Sequence, residues 1–94
     1  MNRKLLEFLK FLELSPEAID ELYELCPKMF SFDSGTVIEN IGIVIAFGFP
    51  KHEMGDLLLE NPYFVFNSSS CLKEKLLSIK GDIAHELKTN PYLI

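Results

Sequence analysis

A chain of 94 residues, 48% hydrophobic and 24% charged, has the composition of one small folded unit and excludes disorder as its resting state. A formal charge of −5 excludes unselective attraction to phosphate over the whole molecule. The charge is uneven: residues 1–61 carry five basic and eleven acidic groups, whereas 62–94 carry four and three, leaving room for a local basic patch near the C-terminus.

In chain order, residues 3–13 place Leu5, Leu6, Phe8, Leu9 and Leu12 at helical spacing, with Arg3, Glu7, Lys10 and Glu13 on the other side. Ser15-Pro16 reads as an N-cap followed by proline at the first helical position. Glu17, Asp20 and Glu21 suit the positive end of that second helix, Ile19, Leu22, Tyr23 and Leu25 form its expected buried face, and Pro27 ends it. Asp33-Ser34-Gly35 is a capping turn before 36–47. Taken alone, 41–47 is β-branched and continuously apolar, as in a buried strand. Pro50 opens the next helix, with Met54, Leu57 and Leu58 inward and an end near Glu60. Asn67-Ser68-Ser69 fits a glycosylation sequon but reads more simply as a turn and cap for a helix over 72–80. Asp82 opens a last helix running to about Lys88.

One motif recurs: Pro27-Lys28-Met29-Phe30, Pro62-Tyr63-Phe64-Val65 and Pro91-Tyr92-Leu93-Ile94. Each copy has a large apolar residue eight positions earlier (Ile19, Met54, Ile83) and a bulky one four earlier (Tyr23, Leu58, Leu87). Self-similarity of this kind marks stacked repeats. Fourteen residues before the first two prolines stand Glu13 and Gly48, and Gly81 fills the matching place in a shortened third copy. Since 3–13 and 72–80 are helical, the register makes 36–47 a helix as well. The expectation is an all-α fold, a short α-solenoid of stacked helix pairs with about six helices in two and a half repeats of about 35 residues. It forms a single helical-repeat domain over 1–94, with units near 1–30, 31–65 and 66–94. The Pro-x-apolar-apolar segments are expected to tuck two side chains between successive pairs, and Gly42 and Gly55 to allow close helix approach.

Helix, glycine, an apolar residue and a proline-ended helix closing in this motif resembles the repeat of mitochondrial transcription termination factors and their relatives. The best match is Ile45-Ala46-Phe47-Gly48-Phe49-Pro50 leading to Leu57-Leu58-Leu59-Glu60-Asn61-Pro62-Tyr63-Phe64-Val65, and the likeness covers most of 9–94. The resemblance implies a superhelix of helix pairs with short 3₁₀ turns, and nucleic-acid binding along a basic concave groove. The chain departs from that pattern in having fewer units, an acidic balance and one arginine, Arg3.

Candidate contacts to nucleic acid or another partner are Lys73, Lys80, Lys88, Tyr63 and Tyr92. Lys73 and Lys80, seven apart, share a helical face, but their counterparts are Asn40 and Phe47, then Leu5 and Leu12, so the stripe does not repeat. Tyr63 and Tyr92, at the motif's spacer position, are expected to be partly exposed and able to stack on bases, while Phe64 belongs to the core. Glu17, Asp20, Glu21 and Glu24 read as a solvated helix face. His52-Glu53 and His85-Glu86 lack the second histidine of a zinc-protease helix, and no Cys-x-x-Cys, phosphate loop or nucleophile elbow occurs. No catalytic residue, cofactor or metal site is therefore expected, and the chain does not read as an enzyme. Cys26 and Cys71 are expected as reduced, partly buried thiols. Glu7, Lys10 and Glu13 break up a would-be signal segment, and 41–50 is too short for a span, which takes about 20 residues. The expected setting is soluble, intracellular and cytoplasmic by default, without a membrane partner. Two functions remain: a nucleic-acid-binding repeat in transcription or RNA metabolism, implied by the resemblance though not supported by net charge, or a protein-interaction scaffold for a basic or amphipathic partner.

Overall fold

In a computed structural model, which describes residues 2–94, every regular element is helical. Met1, the first residue of the first expected unit, lies outside the described residues. Helix α1 (Arg3–Phe11) starts where Asn2 Oδ1 accepts the Leu5 N–H at 3.3 Å. Helix α2 (Pro16–Leu25) starts at Ser15, whose hydroxyl oxygen accepts the Ala18 N–H at 3.1 Å, with proline at the first helical position as its fixed φ favours. Pro27 then turns the chain into a single helical turn, α3 (Lys28–Ser31).

Residues 41–47 fall in a helix, not a strand: α4 (Ser34–Ala46) follows the repeat register. Its six β-branched residues from Val37 to Ile45, other than Thr36, cost helix propensity, and burial on several sides overrides that cost. At its start the Thr36 hydroxyl donates to Asp33 Oδ2 at 2.7 Å, which holds the Asp33 carboxyl below its ordinary value. α4 is the central rod, packed against α1, α3, α6 and the proline turn at Pro62–Phe66.

The alignment of Glu13 with Gly48 has a backbone cause. After α4 the Gly48 N–H bonds to Ile45 O and the Phe49 N–H to Val44 O, with Gly48 at φ 116°. After α1 the Glu13 N–H bonds to Lys10 O and the Leu14 N–H to Leu9 O, with Glu13 at φ 68°. Both are Schellman caps, whose first residue past the helix must be left-handed. Glu13 carries that conformation at a steric cost that glycine lacks. Glu13→Gly is expected to raise the unfolding free energy by up to about 1 kcal/mol, read from urea midpoints at unchanged slope.

Pro50 is followed by a 3₁₀ turn (Lys51–Glu53) before α5 (Met54–Glu60), so the helix proper starts later than the proline suggests. Helix α6 (Ser69–Ser78) is capped by Ser68, which accepts the Cys71 N–H at 3.2 Å; the sequon residues are a cap. Helix α7 (Ile83–Thr89) is capped by Asp82, and a 3₁₀ turn (Pro91–Leu93) follows. The order helix, helix, proline turn thus occurs three times, giving an all-α helical-repeat solenoid of 36 × 23 × 20 Å.

Four expectations need correction. α6 ends at Ser78, with Ile79 extended, so Lys80 lies beyond the helix and does not share a helical face with Lys73. Without a Schellman cap there, one extra residue separates the helix from Gly81 than separates α4 from Gly48. By position from the helix end, Lys73 matches Ile41 and Leu6, while the buried stripe runs through Leu5 and Leu9, Asn40 and Val44, and Leu72 and Leu76. Tyr23 and Leu25 are 43% and 47% exposed, where a buried face was expected. α2 is the first of the second helices, so among the described residues no earlier second helix covers Tyr23, which instead meets Phe30 edge-on at 5.2 Å, while Leu25 borders a hollow beside Leu59. Gly42 has open space where a Cβ would stand, and nothing in the structure explains it. Gly55 does mark a close approach, since a Cβ there would sit 3.1 Å from Leu14 Cγ.

The proline motifs pack as expected in the first two copies, where Met29, Phe30, Phe64 and Val65 are buried. In the third, Ile94 is buried but Leu93 is half-exposed. Cys26 is buried and Cys71 half-buried, both as free thiols.

Candidate binding surfaces

The five candidate contact residues fall into two groups. Lys73 stands exposed on α6, and Lys80 stands exposed in the segment leading to Gly81. Among the described residues neither has a carboxylate partner. Between them in sequence, Lys75 leans back and donates to the Ile94 carbonyl oxygen at 3.3 Å.

Lys88 and Tyr92 lie elsewhere, at the groove between α5 and α7. Lys88 Nζ sits 2.6 Å from Glu53 Oε1, so its charge is spent within the protein. The Tyr92 ring is exposed while its hydroxyl donates to the Glu60 carbonyl oxygen at 2.9 Å. Tyr63 is exposed at the corresponding place one motif earlier. Both tyrosines are set by the asparagine before the proline: Asn61 Oδ1 accepts the Tyr63 N–H and Asn90 Oδ1 the Tyr92 N–H, each at 3.1 Å. These Asx turns hold the spacer residue outward and the next residue inward. Phe64 is in the core as expected.

The remaining polar contacts are architectural. Asn61 Nδ2 donates to the Pro91 carbonyl oxygen at 2.8 Å, and Asn67 Nδ2 to Ile94 O at 3.3 Å, tying the second proline turn to the third. Asn40, fully buried on α4, donates from Nδ2 to Val65 O at 2.8 Å and Asn67 O at 2.7 Å. Lys28, at the spacer position of the first motif, places Nζ 4.5 Å over the Phe66 ring.

Sequence reasoning missed the surface that the second helices build together. Between α5 and α7, Phe49, Leu57, Leu87 and Pro91 line a cavity of about 170 Å³ bordered by Glu53, Asp56, Glu60 and Lys88. A second hollow lies between α2 and α5, lined by Glu21, Glu24, Leu25 and Leu59. A third joins the two, sharing Asp56 with the first and Leu59 with the second, and adds Glu13 and His52. The spacing of Glu53, Asp56 and Glu60, at i, i+3 and i+7, was the available signal that one face is acidic. No group of three His, Cys, Asp or Glu among the described residues is arranged to hold a metal ion. No helix among them is long and apolar enough to cross a membrane.

The family model for mTERF matches residues 1–89 of the chain. No curated protein and no solved structure matches it.

Proposed function

The chain belongs to the mTERF family, and from that premise we propose that it is a non-enzymatic helical-repeat module that binds nucleic acid in transcription or RNA metabolism inside the cell. The repeats at 1–30, 31–65 and 66–94 act as one domain in this reading. Phosphate contacts come from Lys73 and Lys80, with the exposed rings of Tyr63 and Tyr92 offered to unpaired bases. The observation that carries it beyond family membership is that Lys73 and Lys80 are exposed and, among the described residues, without an ion pair, in the segment 62–94, where four basic groups outnumber three acidic ones. Lys88 takes no part, because Glu53 already neutralises it.

So few cations give weak binding with a shallow salt dependence. Each neutralised phosphate adds about 0.9 to the slope of log affinity against log salt for duplex and about 0.7 for single strands. Fluorescence anisotropy with labelled single- and double-stranded oligonucleotides is expected to show binding at low salt with a slope of about 1.8 for duplex and about 1.4 for single strands. The double substitution Lys73→Glu with Lys80→Glu is expected to abolish it. Absence of binding at low salt, where phosphate contacts are strongest, sinks the proposal; binding untouched by the double substitution moves the contact away from these lysines.

A further inference from the structure

We infer that the acidic groove along the second helices docks a basic, amphipathic peptide segment of a partner protein, one apolar side chain seated between α5 and α7 and its Lys or Arg residues against the carboxylates of α2 and α5. This reading does not rest on nucleic-acid binding and uses a surface that excludes Lys73 and Lys80.

The apolar part of the argument is the cavity. Phe49, Leu57 and Leu87 are buried side chains that nonetheless line an opening of about 170 Å³. That is on the order of the ~150 Å³ apolar cavity known to admit a benzene ring, so it takes one aromatic or branched side chain. Beside the adjoining hollow, Leu25 presents apolar surface to solvent next to Leu59.

Charge fixes the chemistry of the occupant. Glu13, Glu21, Glu24, Glu53, Asp56 and Glu60 border the three joined hollows, against one lysine, Lys88. Lys88 is held by Glu53, which leaves the other five carboxylates without an ion pair among the described residues. Like charge turns away a phosphate backbone, and an acidic or neutral helix gains nothing from these walls. The carboxylates are spread over α2, α5 and the turns that precede them rather than gathered on a point, so a metal ion does not satisfy them. A segment carrying an apolar anchor with cations on either side satisfies both features at once, in the manner of an amphipathic helix laid in a groove.

The test uses the whole chain and three labelled synthetic peptides of equal length. The first has a helical pattern of Leu and Lys, the second replaces its Leu with Ser, and the third replaces its Lys with Glu. The first is expected to bind with an affinity that falls as salt rises, at least tenfold tighter than the second, and the third is expected not to bind. Asp56→Lys with Glu60→Lys is expected to weaken the first peptide at least tenfold, with an unchanged helical circular dichroism spectrum establishing that the variant folds. In the unaltered protein, amide shift changes on adding the first peptide are expected at residues 53–60 and 87–90. Equal binding of the Leu and Ser peptides, indifference to the charge reversal in the folded variant, or shift changes confined to other surfaces each overturn the inference.

Discussion

Replacing Asn40 with Ala is expected to lower the unfolding free energy by about 2–4 kcal/mol, measured by urea denaturation. The reason is specific to the site. Two carbonyl oxygens, of Val65 and Asn67, point at one buried amide nitrogen, and both lose their donor when it is removed. Each buried acceptor left unmade costs about 1–3 kcal/mol. The orientation of the amide is forced, because turning it over sets an oxygen against two oxygens. Its own oxygen finds no partner among the described residues, so part of the gain is already forgone in the native protein. Asn40→Asp separates hydrogen bonding from shape. It keeps the volume but offers an acceptor, charged at neutral pH, to the same two carbonyls, and is expected to destabilise more than Ala does. The buried carboxyl has its folded pKa raised above the unfolded value near 4. The Asp variant therefore loses stability as pH rises from about 4 through the raised value, and has it fully restored once pH is below about 4. A variant whose deficit does not depend on pH contradicts this account.

Phe64→Ala is expected to cost about 3–5 kcal/mol, the range for emptying a fully buried aromatic site. Phe64 is 1% exposed at the third position of the Pro62 motif. Leu93 holds the same motif position after Pro91 and is 38% exposed. Truncating it to Ala is expected to cost no more than about 1.5 kcal/mol, because much of that side chain already meets water and leaves no sealed cavity. The pair tests whether cost follows packing or motif. Equal losses, from thermal or chemical unfolding of both variants, point to a role for the motif beyond burial.

Most of the fold was legible from caps and spacing. Ser15-Pro16, Ser68 and Asp82 start helices where their side chains can accept a backbone N–H, and this is local chemistry that a sequence displays. The identity of 34–46 was harder, because its residues favour a strand and only the repeat register argued for a helix. The register failed by one residue in α6, where no Schellman cap forms and the helix stops at Ser78. That slip misplaced Lys80, which depends on the last turn of the helix. Tyr23 was misread because its counterparts Leu58 and Leu87 are covered, and coverage depends on neighbours rather than on the residue itself. The candidate surfaces were less legible still. Glu53 meets Lys88 across 35 residues of chain, so no local pattern announces that this lysine is neutralised. The apolar cavity likewise joins side chains from both later repeats, and only the folded chain brings Phe49 to Leu87.

The asparagine that precedes a proline turn also bears on temperature. At Asn61 it laces the second turn to the carbonyl of Pro91, with Asn67 adding a bond to Ile94. The same place before the first turn holds Cys26, buried among apolar side chains, and among the described residues no side-chain hydrogen bond links residues 2–31 to residues 33–67. That joint relies on apolar contact and on Lys28 over the Phe66 ring. Apolar association weakens on cooling, whereas a hydrogen bond carries its own favourable enthalpy. Chilling the protein therefore loosens the joint at Cys26 before the one at Asn61, and gives a molecule of three similar repeats a preferred place to open in the cold.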